Sequence, residues 1–184
     1  MKGTITPATS LLERHVLLIG FMCSGKSTVG RALAPLLGLP FVDLDRVIEQ
    51  RIGPITPFFL KEGEAAFRTV EQEVLGELLH GPRCVLATGG GTPCESGNMA
   101  LMQASGNIVW LDVPLVDLMP RIVRAGRDRP LLFGLTGDAL QRRVEELLDA
   151  REAVYAQAHM IVQAGAPPQE VAERIVRALG IQAM

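Results

Sequence analysis

The segment His15–Ser27, which reads HVLLIGFMCSGKS, decides the fold. It begins with a short apolar run rich in branched side chains, His15–Gly20, which predicts a buried strand. Gly20–Ser27 then matches the pattern G-x-x-x-x-G-K-S/T and leads directly into a helical stretch. In this context the pattern forms a loop whose backbone N–H groups surround phosphate oxygens. The segment therefore predicts nucleoside triphosphate binding, although it does not identify the acceptor.

The residues of the loop have separate expected roles. Lys26 should reach the β- and γ-phosphates, and the Ser27 hydroxyl should bind Mg²⁺. The alternative is a glycine-rich turn with an exposed lysine. The residues expected to contact ATP here are Cys23, Ser24, Gly25, Lys26, Ser27 and Thr28.

Apolar runs alternate with helical stretches along the rest of the chain. The further predicted strands are Phe41–Asp45, Cys84–Gly90, Asn107–Val113 and Met160–Ala164. Strands that are apolar along their whole length require a parallel sheet covered on both faces. We therefore expect a three-layer α/β fold with a five-stranded parallel sheet, formed by residues 1–184 as a single domain.

Composition excludes several classes of function. The chain has 184 residues, of which 48% are hydrophobic and 21% charged, and its net charge of −2 gives no general attraction to nucleic acid or anionic membranes. Met1–Arg14 lacks the apolar core of a signal peptide, and no apolar run approaches the length of a bilayer span. The three cysteines form neither a disulfide framework nor a metal motif. We expect a cytoplasmic monomer that binds small molecules.

Two acids, Asp43 and Asp45, end the second predicted strand. The strand's period of two places both acids on one face, where their like charges require a nearby cation. Mg²⁺ beside the phosphate loop would suit Asp43, which leaves Asp45 to accept a hydrogen bond from a substrate hydroxyl. The alternative is a solvated strand end with Asp45 capping the next helix.

Together, the phosphate loop and the Asp-x-Asp pair resemble the shikimate kinase family. Gly63–Glu71 is similar to its G-E-x-x-F-R-x-x-E signature, and Thr88–Gly91 matches its triple-glycine turn. The resemblance covers nearly the whole chain and implies transfer of the γ-phosphoryl group of ATP to the 3-hydroxyl of shikimate, with Mg²⁺ as cofactor. It assigns substrate binding to Asp45, Arg68, Gly89, Gly90, Gly91 and Arg151. Surface ion pairs around Arg68 and a plain flexible glycine turn are the alternatives.

The position of Arg151 in the sequence predicts a role for it without reference to the family resemblance. It falls within a helical stripe of apolar residues that includes Val144, Leu147 and Tyr155, so its charge should point inward. A buried charge needs a partner. That partner is either a substrate carboxylate, as the resemblance implies, or an Asp or Glu of the fold.

The segment of about 124–138 is the predicted lid, and about 46–80 is the predicted substrate-binding helical region. Arg129–Leu132 (RPLL) matches the family's lid segment, so Arg129 would neutralise charge that develops during transfer and would act in catalysis with Lys26 and Asp45. Arg121 matches the arginine that stacks on adenine, although Arg124 competes for that assignment.

Pro54–Phe59 departs from the family, which usually has a glutamate at the position of Pro57. Because proline fits the first turn of a helix, we expect a shifted helix start rather than a lost site. Two other functions stay open from sequence alone. One is a kinase for another small polyol acid such as gluconate, and the other is a ligand sensor without catalysis.

Overall fold

The computed structural model describes residues 14–126 and 129–180, and in them five parallel strands form one sheet. The strands lie in the order β2-β3-β1-β4-β5, which confirms the predicted fold class. Their bounds are β1 (His15–Ile19), β2 (Phe41–Asp43), β3 (Val85–Ala87), β4 (Gly106–Asp112) and β5 (Met160–Gln163).

Helices connect the strands and cover both faces of the sheet. Their bounds are α1 (Lys26–Leu37), α2 (Leu44–Ile52), α3 (Ile55–Glu62), α4 (Glu64–His80), α5 (Asn98–Ser105), α6 (Leu115–Arg124), α7 (Gly137–Tyr155) and α8 (Pro168–Ala178). Short 3-10 helices span Thr92–Cys94 and Pro130–Leu132. Within the described residues, no helix is long and apolar enough to cross a membrane.

The central strand β1 is buried along its whole length. It pairs with β3 through Val16 and Val85 and with β4 through Leu18 and Val109. Helices on each face exclude water from it, which explains its uninterrupted apolar run. Because all strands run the same way, the loops that follow β1, β2 and β3 meet at one edge of the sheet, where the polar motifs lie.

The predicted second strand is too long. β2 ends at Asp43, and Asp45 lies in the first turn of α2. The expectation that both acids share one strand face is therefore wrong. A carboxylate is favoured at a helix N-terminus, where free N–H groups and the helix dipole attract negative charge.

Pro57 lies in the first turn of α3, as its missing N–H donor predicts. Pro54 immediately precedes the helix, and the Phe58 backbone N–H donates to the Pro54 carbonyl oxygen at 3.3 Å. The residues that depart from the family pattern thus form an ordinary helix start.

Candidate active site

The phosphate loop connects β1 to α1 and folds around its own lysine. Gly25 precedes the helix with a φ of 94°, a left-handed conformation that glycine adopts without steric cost. The Lys26 ammonium is buried and donates to the carbonyl oxygens of Gly20 at 2.8 Å and Phe21 at 2.9 Å. Desolvation lowers the pKa of Lys26 to about 8, with the nearby Asp45 opposing it.

Other loop residues are also positioned for a phosphate ligand. Thr28 Oγ1 donates to the Gly25 carbonyl oxygen at 2.8 Å. Ser24 Oγ is buried and has no hydrogen-bond partner among the described residues. An unsatisfied hydroxyl is unusual in a folded interior, and it fits a loop that completes its hydrogen bonds with a ligand.

Ser27 and Asp43 come together beneath the loop. The Ser27 hydroxyl donates to Asp43 Oδ2 at 2.6 Å, which joins α1 to the end of β2. Both are oxygen donors of the kind that Mg²⁺ prefers. In residues 14–126 and 129–180 no cluster of three or more His, Cys, Asp or Glu side chains could hold a metal.

A cavity of about 340 Å³ opens beside the phosphate loop. It lies among α2, α3, α4, the turn after β3, the described lid residues and α7. Its lining includes the predicted residues Asp45, Arg68, Gly89, Gly90, Gly91, Arg129 and Arg151. Residues that are far apart in sequence therefore face one space large enough for a small ring.

The triple-glycine turn contacts a different functional group at each residue. A Cβ atom on Gly89 would lie 2.8 Å from Glu71 Oε1 and 3.2 Å from Asp45 Oδ1. One on Gly91 would lie 2.7 Å from Arg68 Nη2, and one on Gly90 would lie 3.5 Å from Arg151 Nη1. Side chains at Gly89 and Gly91 would displace these groups, so close packing favours glycine at these two positions.

Arg68 lies among three carboxylates. Its Nη1 donates to Glu71 at 2.7 Å, its Nη2 donates to Glu64 at 3.0 Å, and Glu95 Oε1 lies 3.0 Å from Nε. Burial disfavours the charged form, but the three acids outweigh it and raise the pKa of Arg68. Glu64 and Glu71 lie on the same helix as Arg68, four residues before and three residues after it, and Glu95 is an addition that nothing in the sequence indicated.

Arg151 is buried as its position in the apolar stripe predicts, with 7% of its surface exposed. Within residues 14–126 and 129–180 no carboxylate forms an ion pair with it. It lies over the Phe21 ring, whose centroid is 5.5 Å from the guanidinium carbon, and near the Tyr155 side chain. The described fold thus leaves its charge without an acidic partner.

Asp45 opens onto the cavity, where solvent reaches it. Desolvation by the surrounding protein, helped by the charge of Asp43, raises the pKa of Asp45 to about 6, against the effect of Lys26. The Asp45 charge therefore interacts both with Lys26 of the phosphate loop and with Asp43, the candidate metal ligand.

Arg129, the arginine of the predicted lid, lies on the phosphate loop, where its Nη2 is 3.2 Å from Cys23 Sγ. Part of the predicted lid, residues 127 and 128, lies outside the described residues. Arg121 is half-buried on α6 and Arg124 is exposed, and neither lines the cavity. Their assignment to adenine stays a prediction.

Several cavity residues were missed from the sequence. Phe59 and Phe67 form an apolar wall with ring centroids 5.7 Å apart. Thr92 fixes Glu71 with a hydrogen bond of 2.6 Å, and Glu49 lines the cavity near Asp45. Only Phe67 had a usable signal, because it adjoins Arg68 in the signature. Glu49 is one helical turn from Asp45 on α2 but carried no motif, and Thr92 reaches Glu71 only through long-range packing.

Comparison with known proteins agrees with this geometry. A shikimate kinase of Salinibacter ruber is 40% identical over 175 residues, covering 92% of this chain and 86% of its own length. One of Gloeobacter violaceus is 46% identical over 166 residues, covering 88% and 90%. The structure of shikimate kinase from Acinetobacter baumannii in complex with shikimate has a TM-score of 0.85 at 34% identity, covering 94% of this chain and 97% of that one.

A gluconokinase from Sinorhizobium meliloti has a TM-score of 0.65 at 20% identity and shares the fold alone. The family model described as shikimate kinase, in contrast, matches residues 22–180, which include every site residue predicted from the sequence. This chain belongs to the shikimate kinase family.

Proposed function

We propose that the protein transfers the γ-phosphoryl group of Mg·ATP to the 3-hydroxyl of shikimate, giving shikimate 3-phosphate and ADP. The observation that carries the proposal is the single cavity that Asp45, Arg68, Arg151 and the glycine turn share beside the phosphate loop. Membership of the family and the shikimate-bound structure of a similar protein identify the acceptor.

The phosphate side of the cavity holds and activates ATP. Backbone N–H groups of Cys23–Thr28 and the Lys26 ammonium bind the phosphates, and Arg129 closes over them from the lid. Ser27 and Asp43 would hold Mg²⁺, which when bound would supply positive charge to neutralise the phosphates. Arg121 or Arg124 covers the adenine.

The opposite side of the cavity holds the acceptor. Arg151, whose charge has no acidic partner in the described fold, binds the carboxylate together with Arg68. Gly89–Gly91 let the ring approach the backbone, and Asp45 accepts a hydrogen bond from the attacking hydroxyl. This alignment is the main source of rate in phosphoryl transfer, because the reacting oxygens then need little reorganisation.

The hydroxyl oxygen attacks the γ-phosphorus, and the bond to the β–γ bridging oxygen breaks. The hydroxyl proton passes to Asp45, and ADP leaves with the bond electrons. Lys26 and Arg129 stabilise the charge on the transferring group.

We assign helices α2–α4 to the substrate side of the cavity and residues of about 124–138 to the lid. That the protein is a cytoplasmic monomer stays a prediction of the sequence.

A coupled assay with Mg·ATP and a panel of shikimate, quinate and gluconate tests the proposal. We expect ADP release that depends on shikimate, and loss of that release in Lys26→Met, with thermal melting to check that the variant is folded. Turnover of gluconate alone would refute the choice of acceptor. Shikimate binding without turnover would leave a sensor rather than a kinase.

A further inference from the structure

Three acids interact with Arg68, and they differ in the number of hydrogen bonds that hold each of them in place. Glu71 is 1% exposed and accepts hydrogen bonds from both Arg68 and Thr92. Glu64 accepts one from Nη2 of the same arginine. Glu95 lies 3.0 Å from Nε, but Nε is buried and makes no hydrogen bond within the described residues. Glu95 is therefore attracted to Arg68 by charge without an aligned hydrogen bond.

Glu95 also reaches Arg68 from a different part of the chain. Glu64 and Glu71 lie on α4 with Arg68, whereas Glu95 follows the 3-10 helix that comes after the glycine turn. Its side chain is 37% exposed, so rotation into water is open to it. Glu64 is more exposed, at 50%, but an aligned hydrogen bond from Nη2 holds it, so Glu95 is the acid that has a route to solvent and no aligned hydrogen bond.

Arg68 lies against Gly91, and Arg151 lies near Gly90. A carboxylate bound between the two guanidinium groups would thus come close to the acids of Arg68. Like charges at such short range repel, and each acid that stays on Arg68 weakens its attraction for an incoming carboxylate. Glu71 is fixed by Thr92 and cannot relieve this repulsion.

We infer that Glu95 is a specificity-determining residue, an internal carboxylate that competes with the substrate carboxylate for Arg68 and turns to solvent when substrate binds. The inference rests on the proposed function, because it takes the ligand to be a small carboxylate. Its consequence is that the Glu95 charge raises the KM for the acid acceptor and leaves phosphoryl transfer itself unchanged.

Glu95→Gln tests this inference with shikimate and with its uncharged methyl ester. We expect the KM for shikimate to fall by about 2- to 5-fold, the size of a partly exposed ion pair. The kcat, the KM for ATP and the KM for the ester should not change. Glu73→Gln is the matched control, since it removes one exposed charge from the helix that carries Arg68. Thermal melting checks that each variant is folded.

A rise in KM for shikimate would overturn the inference, because Glu95 would then orient Arg68 rather than compete with the substrate. An unchanged KM, or an equal gain with the ester, would overturn it as well. The Kd of shikimate, measured by calorimetry without nucleotide, should fall by the same factor. Lack of turnover by the unmodified protein would instead refute the proposed function, so the two failures are distinguishable.

Discussion

Replacing Arg151 with Met should separate the stability of the fold from its affinity for substrate. A buried ion costs several kcal/mol of desolvation, and Arg151 has no acidic partner in the described residues. The Phe21 ring and the Tyr155 hydroxyl each return about 1 kcal/mol. Methionine keeps much of the volume without the charge. We therefore expect the free energy of unfolding to stay constant or to rise by about 1 kcal/mol, which is about 2–4 °C in Tm.

The same change should severely weaken substrate binding. Loss of one partner of a desolvated charge pair costs about 2–4 kcal/mol, so kcat/KM for shikimate should fall by roughly 30- to 1000-fold. The KM for ATP should stay constant, because Arg151 lies on the acceptor side of the cavity.

Thermal melting and the coupled assay measure the two effects of Arg151→Met. Arg143→Met is the control, because Arg143 lies on the same helix in a surface ion pair with Glu146. A loss of several kcal/mol in stability would refute the reasoning, since it would show that an acid of the fold neutralises Arg151. An unchanged KM for shikimate would equally refute it.

Three further changes test other parts of the structure. Asp43→Asn should raise the Mg²⁺ concentration for half-maximal rate at least tenfold in a metal titration, and chelation should stop turnover until Mg²⁺ is restored; an unchanged titration would exclude Asp43 as a ligand. Cys23 has a φ of 63°, a left-handed backbone conformation that is strained for any residue with a Cβ atom. Cys23→Gly should therefore stabilise the protein by about 0.5–1 kcal/mol in thermal melts, and a lower Tm would show that the backbone is not strained there. Burial lowers the pKa of His15 in the folded protein, so folding favours its neutral form. This contribution to the free energy of unfolding is present above about pH 6.5 and should be lost as the pH falls. His15→Gln should flatten this acid slope in urea titrations, and an unaltered slope would assign it to other groups.

The phosphate loop was predictable because its parts are consecutive in sequence. The strand, the glycine positions and the helix start are specified within His15–Ser27, and no distant contact is needed to place Lys26. The buried strand β1 and the parallel sheet followed for a similar reason, since burial on both faces leaves a local apolar signature.

Asp45 shows where local patterns become insufficient. An Asp-x-Asp pair after an apolar run fits a strand as well as a helix start, and the choice depends on where the backbone turns. The hydrogen bond from Ser27 to Asp43 lies at that turn, so the two residues expected to hold Mg²⁺ are neighbours, but the pattern did not show where the strand ends. Glu95 is a stronger case, because its partner Arg68 reaches it only through packing of α4 against the segment after β3.

The glycine turn explains why such distant residues form one site. Asp45, Arg68 and Arg151 come from three different helices, and each approaches a different glycine of the same turn. Their spacing is thus set by the backbone after β3, which the central sheet holds rigidly, and not by contacts among the three side chains. The three charged groups therefore need not neutralise one another, and Arg151 has no acidic partner in the described fold. A site that binds a charged substrate requires a charge that is free in this way.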